Sequence, residues 1–276
     1  MMSVMRLSLV AVALAAFLAL PCVQMQAQWV KLPTPGVPRT ADGKPNLTAP
    51  APKANGKPDL SGLWIPRDER PCDPKASLCG GELPLSPYLG NFARDVKGGI
   101  PYQPWAADLV KSRAKDVAYI DPHAQCMPPN FPRAWAFPET IKILQTPAQL
   151  AVLHEWNASY RQIFTDGRKL PADMNPTWHG YSVGHWEGNT LVVESAGYRD
   201  DSWLDTNGNF FSSAAHLTER ITRPTFGALN IDVTIDDPKV FTHPWTVNLH
   251  MKPLVDTEMI DFMCQENNKD VEHMVR

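Results

Sequence analysis

The chain has 276 residues, 43% hydrophobic and 20% charged, the proportions of an ordinary globular protein with room for one large domain or two small ones. Its formal net charge is −3 at pH 7 and its basic residues are scattered, which excludes the basic face that nucleic acid requires. The expected partner is a small-molecule ligand or substrate, and the composition leaves the oligomeric state open.

Residues 1–27 stand apart. Arg6 precedes a charge-free, mostly apolar run from Leu7 to Leu20, the pattern of a secretory signal peptide, with cleavage expected after Ala27. The run is shorter than the roughly 20 apolar residues that span a bilayer, and no later stretch approaches that length, so no stable membrane insertion is expected. The mature protein reads as exported, periplasmic or extracellular. Ala19-Leu20-Pro21 ahead of Cys22 is a poor lipoprotein signal, which wants small residues just before the cysteine.

Loss of the leader removes Arg6 and Cys22, leaving 25 basic against 29 acidic residues, a net charge of −4. Four cysteines remain, Cys72, Cys79, Cys126 and Cys264, and in an oxidising compartment an even number reads as two disulfides. Of the three pairings, Cys72–Cys79 with Cys126–Cys264 is favoured: the first closes a short loop and the second ties an early segment to the last expected strand. No Cys-x-x-Cys occurs, so neither a metal centre nor a cofactor is expected.

From about 28 to 60 the chain is rich in Pro, Lys, Gly and Ala without apolar periodicity, an extended tether ahead of one domain over 61–276. It contains a local duplication, Ala41-Asp42-Gly43-Lys44-Pro45 and Ala54-Asn55-Gly56-Lys57-Pro58. A first strand is predicted at Leu63. Residues 67–139, with prolines every few residues, read as an irregular insertion wrapped over the core, with one helix from Tyr102 to Val117.

Strands are then predicted at Ile141–Leu144, Ala151–Trp156 and Tyr160–Thr165. The stretch WHGYSVGHWEGNTLVVE, Trp178 to Glu194, reads as a hairpin turning at Gly188-Asn189. Four further strands follow at His216–Arg223, Leu229–Ile235, Trp245–Met251 and Glu258–Cys264. About ten sequential strands with short connections predict an all-β, antiparallel up-and-down barrel of calycin type, since closure removes exposed edges; a β-sandwich is the alternative.

Pro58-Asp59-Leu60-Ser61-Gly62-Leu63-Trp64, the turn at Asp166, the stretch from Trp178 to Val193, Thr218-Glu219-Arg220, Asp237-Pro238 with Pro244-Trp245, and Glu266-Asn267-Asn268 together resemble a large family of exported bacterial proteins. This resemblance covers roughly residues 58–270 and implies a compartment rather than a chemistry. More loosely, Gly62-Leu63-Trp64 resembles the G-x-W signature of lipocalins, which implies a tryptophan plugging one end of the barrel.

Candidate chemistry centres on histidine, arginine and carboxylate. Along a strand His216 and Arg220 share a face and Glu219 takes the other, so His216 and Arg220 are read as a lumenal pair, His as acid or base and Arg as a clamp. The plainer account is an ion-pair ladder with Glu194 or Asp232. Glu155, with Arg161 across a tight turn, is a second candidate. Trp178, His179, Tyr181, Trp203, Trp245 and Arg161 are the expected ligand-binding set, aromatic rings lining a barrel mouth. Six residues of strand, the separation of His179 and His185, span about 20 Å, so a metal site would have to recruit across strands; the plainer reading of His179, His185, His216, His243 and His250 is five independent surface or rim residues. Asp200-Asp201 and Asp236-Asp237 read as turn residues before calcium ligands. No nucleophile elbow, phosphate-binding loop or zinc-protease motif is present.

These features point first to an exported binding protein for a small apolar or aromatic molecule. The alternatives are a cofactor-free lyase, hydratase or isomerase in the same pocket, and a structural envelope protein.

Overall fold

The computed structural model describes residues 32–67, 86, 88–200 and 202–266, and their regular secondary structure is mostly β. The signal peptide, Cys22 and the Cys72–Cys79 pairing lie outside the described residues. No helix among those described is long and apolar enough to cross a membrane.

Nine strands close into a barrel: β3 (Gly62–Pro66), β4 (Ile141–Gln145), β5 (Gln149–His154), β6 (Ser159–Phe164), β7 (Tyr181–Glu187), β8 (Thr190–Ala196), β11 (His216–Thr225), β12 (Ala228–Asp236) and β13 (Trp245–Leu254). They run around the ring in sequence order, β13 closing against β3, so the barrel is the expected meander. The remaining strands are short pairs outside the ring: β1 (Lys53–Ala54) with β2 (Lys57–Pro58), and β9 (Ser202–Trp203) with β10 (Phe210–Phe211).

Two features depart from the expectation. The stretch 258–264 contributes an isolated bridge, Phe262 with Trp156, rather than a tenth strand. And β6 runs parallel to β7 while every other neighbouring pair is antiparallel. The second follows from the first: alternating directions close only around an even number of strands, so a ring of nine must hold a parallel pair. It falls where residues 165–180 separate the two strands, a connection of the length that a parallel crossover needs.

The β7–β8 hairpin forms as read, Glu187 pairing with Thr190 across Gly188-Asn189. Gly188 alone takes a positive φ, 59°, the pattern of a II′ turn; Asn55-Gly56, at 52° and 75°, supplies both positive values of a I′ turn between β1 and β2.

Period-two alternation fills the lumen. Leu229, Ile231, Val233 and Ile235 of β12 and Trp245, Val247, Leu249 and Met251 of β13 all point inward and are buried. Trp64 is fully buried, donates from Nε1 to the Leu60 carbonyl at 3.0 Å, and lies under the Arg223 guanidinium at 4.7 Å. Helices α1 (Pro104–Arg113) and α2 (Val117–Ile120) and the 3₁₀ turn Arg133–Ala136 belong to the insertion, whose Phe92, Phe131 and Trp135 join the core. The described part of the tether is pinned rather than free: Phe226 and Gly227 donate to the Ala49 and Leu47 carbonyls at 2.8 Å each, and Asp256 accepts from the Thr34 amide and from Arg39.

Candidate functional site

The parallel pairing of β6 and β7 covers two residue pairs, Ile163 with Ser182 and Phe164 with Val183, and then stops. Beyond it, Ser159–Gln162 and Thr177–Ser182 flank a cleft of about 540 Å³ in the barrel wall, with Pro128, Asn157 and Ala158 at its outer end. Gly180 lets β7 end there. Its φ is +64°, and a Cβ would stand 2.8 Å from the Ala196 carbonyl oxygen and 2.9 Å from the Tyr198 ring, so only glycine fits both the turn and the approach.

The outer wall is held from two sides. Asn157 and Ala158 both take left-handed φ, 52° and 45°, a costly conformation for alanine. Asn157 secures it: its amide donates to the Phe262 carbonyl at 2.6 Å, its Nδ2 to the Cys126 carbonyl at 2.5 Å, and its Oδ1 accepts from the Cys264 amide at 2.9 Å. Cys126 and Cys264 are disulfide-bonded, with Cα atoms 5.4 Å apart, as the favoured pairing expected. The bridge therefore clasps the turn that forms one lip of the cleft.

The floor is a buried ion pair. Arg161, inward on β6, sits against Glu219, inward on β11, each side chain 1% exposed. Nη1 donates to Oε1 at 3.1 Å and Nη2 to Oε2; Nε donates to Ser182 Oγ at 3.0 Å and Nη2 to Ser195 Oγ at 2.8 Å. Trp135 Nε1 gives Glu219 a further hydrogen bond at 2.6 Å. Burial pulls the Arg161 pKa down, but the Glu219 carboxylate outweighs it and the net shift is upward, so Arg161 stays charged. Both charges are compensated within the barrel.

Above the floor lies His179, half-buried, its ring edge-on to Phe131 at 5.6 Å. Burial, and then the positive Arg161, lower its pKa from 6.5 to about 4, so the imidazole is neutral at pH 7. Behind it, burial and then His179 bring His154 to about 3; burial and then Arg133 bring His123 to about 2. Nδ1 of His179 and the hydroxyl of Ser159 are buried without a hydrogen-bond partner among the described residues. At the rim Trp178 lies 4.8 Å under the Arg199 guanidinium, Tyr181 stacks on Phe164 at 5.3 Å, and Tyr160 is 63% exposed.

Four of the residues expected to bind ligand, Trp178, His179, Tyr181 and Arg161, thus meet at one cleft. Trp203 and Trp245 do not. Trp203 is buried under Arg113 in the β9–β10 pair, and Trp245 packs on Phe92 and Phe241 in the core. His216 and Arg220 do share a face, but it is the outer one: both are exposed, and Arg220 pairs with Glu187 at 2.9 Å. The lumenal pair drawn from them is corrected to Glu219 with Arg161, because Glu219 shares its face with Leu217 and Ile221. Glu155 is not the partner of Arg161 either; its Oε2 accepts from the Thr140 amide at 3.0 Å.

His185, His243 and His250 are exposed. Among the described residues no three His, Cys, Asp or Glu side chains gather as a metal site. Glu219, Ser182, Ser195, Trp135, His154 and Ser159 were not singled out from sequence as site residues. The available signal was parity, since each strand-borne member alternates in register with buried aliphatic residues.

No family model, curated protein or solved structure matches this chain.

Proposed function

We propose that this chain is an exported binding protein for a small aromatic molecule, held in the cleft between β6 and β7. One observation carries the reading: beside the parallel pair, where the ladder is two pairs long, the wall holds a cleft of about 540 Å³ whose aromatic rim stands over a floor of already neutralised charge. A concave, mostly apolar site with a few convergent polar groups is the usual form of a small-molecule pocket. A cofactor-free enzyme in the same cleft would have to work through His179, since His216, Arg220 and Glu155 do not line it and Glu219 is consumed by Arg161. Binding is therefore the leading reading.

Titration with naphthalene, followed by tryptophan fluorescence and calorimetry, tests it. Saturable binding is expected, weakened about tenfold or more in Trp178→Ala, as for loss of a buried aromatic contact. Native mass spectrometry of protein purified from the cells that produce it should show a retained small molecule. Failure of both experiments sinks the reading.

A further inference from the structure

The cleft runs along a strand edge, and the edge narrows what the cleft takes. Successive residues of β6 direct their backbone N–H and C=O groups to opposite neighbours. Thr165 donates to the Ala148 carbonyl at 2.8 Å, so Thr165, Ile163 and Arg161 face β5, and Phe164, Gln162 and Tyr160 face the side of β7. The hairpin gives the same phase from across the cleft. Glu187 and Thr190 close its two-residue turn as a hydrogen-bonded pair, so Glu187, His185, Val183 and Tyr181 face β8 and Ser182 faces β6.

The two pairs of the parallel ladder, Ile163 with Ser182 and Phe164 with Val183, engage both backbone groups of Phe164 and the carbonyl of Gln162. The ladder goes no further. Thr177 is drawn to the far side, where it bridges to Tyr198 and its amide donates to the Gly197 carbonyl at 3.0 Å. Among the described residues no backbone hydrogen bond joins Tyr160 or Gln162 to Thr177–Gly180. Left facing the gap are the N–H and C=O of Tyr160 and the N–H of Gln162, spread over about 7 Å of strand. Both residues line the cleft and both are exposed, Tyr160 to 63%.

An unpaired edge of this kind is a template for another strand. Tyr160 offers a donor and an acceptor on one side, and the complement is an extended amino-acid residue, whose own N–H and C=O also point one way. A single amide does not serve, because its planar trans unit points them in opposite directions. A residue paired with Tyr160 places its side chain on the face of β6 that carries Tyr160 and Phe164, where Tyr181 stacks on Phe164 at 5.3 Å. Side chains turned inward meet Arg161 already paired with Glu219, which favours uncharged ones. We propose that the cleft takes a peptide that adds to β6 as an antiparallel strand, with an aromatic residue opposite Tyr160.

The inference rests on the reading of the cleft as an aromatic site, and one series of probes separates the two. Naphthalene, acetyl-Val-Phe-Val-amide, and that peptide N-methylated at Phe or at the second Val are titrated into the full mature protein. In the proposed register Phe exchanges both backbone hydrogen bonds with Tyr160 and the acetyl carbonyl accepts from the Gln162 amide. The parent peptide is expected to bind and to displace naphthalene. Methylation at Phe removes a hydrogen bond to the edge and weakens binding about tenfold, while methylation at the second Val, whose N–H points away from β6, changes it less than about twofold. Gln162→Pro deletes the amide that faces the gap and leaves the ladder to β5 intact, and is expected to weaken the peptide about tenfold, with thermal unfolding to confirm the fold. The methylated pair needs no altered protein.

Equal effects of the two methylations overturn strand addition and leave the aromatic site standing, as does naphthalene binding that the peptide does not displace. Peptide binding without naphthalene binding upholds the edge and removes the free aromatic molecule as the ligand. Binding of none of the probes overturns both readings. A dimer in sedimentation that the peptide dissociates gives the edge to a second copy of the chain and overturns its assignment to a separate peptide.

Discussion

The β12–β13 wall and the β6–β7 wall lie on opposite sides of one ring and obey the same alternation, yet one is closed core and the other opens into a cleft. On β12 and β13 the buried inward positions, Leu229 to Ile235 and Trp245 to Met251, are all apolar, and seven residue pairs of continuous antiparallel ladder hold the wall shut. On β6 and β7 the inward positions include Ser159, Arg161, Ser182 and Gly184, and the ladder is two pairs long. Aliphatic side chains fill the lumen and need nothing further. Polar side chains at the same depth must find partners, and where the ladder ends Ser159 does not. A cleft here is the consequence of an odd strand count and a change of inward residue type on the adjoining strands.

The largest expected break in that contrast is at the floor. Glu219→Ala leaves the Arg161 guanidinium buried without its counter-charge, and unfolding free energy is expected to fall by about 3–5 kcal/mol in urea denaturation. A loss below about 1 kcal/mol would mean that water reaches the pair and that the wall is open through to the lumen.

Acidification should act on the polar side alone. His179, His154 and His123 have folded pKa values of about 4, 3 and 2, below the ordinary 6.5, so the unfolded chain takes up protons first. Their stabilisation is complete above pH 6.5 and is lost as the pH falls toward those values. Glu139, raised by burial to about 7 from 4.5, works in the opposite direction between those two pH values and offsets one histidine. Two net protons remain, and stability should drop on the order of 2 kcal/mol per pH unit near pH 5. Urea midpoints that do not change between pH 7 and pH 5 would contradict this.

The smallest effect belongs to the packed wall. Ile231→Val removes one buried methylene from the packed wall and is expected to cost about 0.5–1.5 kcal/mol. Its urea denaturation should shift by the same amount at pH 7 and at pH 5, and affinity for an aromatic probe should match wild type. A changed affinity would mean that the two walls are coupled through the lumen.

Much of this fold was legible in advance because alternation is local. Leu229-Asn230-Ile231-Asp232-Val233 declares a half-buried strand whatever its neighbours are, and Gly188-Asn189 declares the hairpin beside it. The candidate site was half legible. Parity separated Glu219 from His216 and Arg220, but parity does not say which face is inward; the aliphatic companions Leu217 and Ile221 do, and they assign the lumen to Glu219. Arg161 was singled out with the wrong partner, since Glu155 is near it in sequence and Glu219 only across the ring. The tether read as free because its few apolar residues, Leu47, Ala49 and Leu60, show no period, though backbone hydrogen bonds from Phe226 and Gly227 hold it.

The sequence by itself determined the barrel, its strand order, the Cys126–Cys264 pairing that was favoured, and the aromatic and histidine content of the cleft, because each depends on patterns within a few residues or on residue type. Only the tertiary structure decided that the strands number nine, that the unavoidable parallel pair falls between β6 and β7, and that Arg161 meets Glu219 beneath the opening. Those outcomes depend on how the ring closes, a condition imposed by all nine strands together and carried by no segment alone.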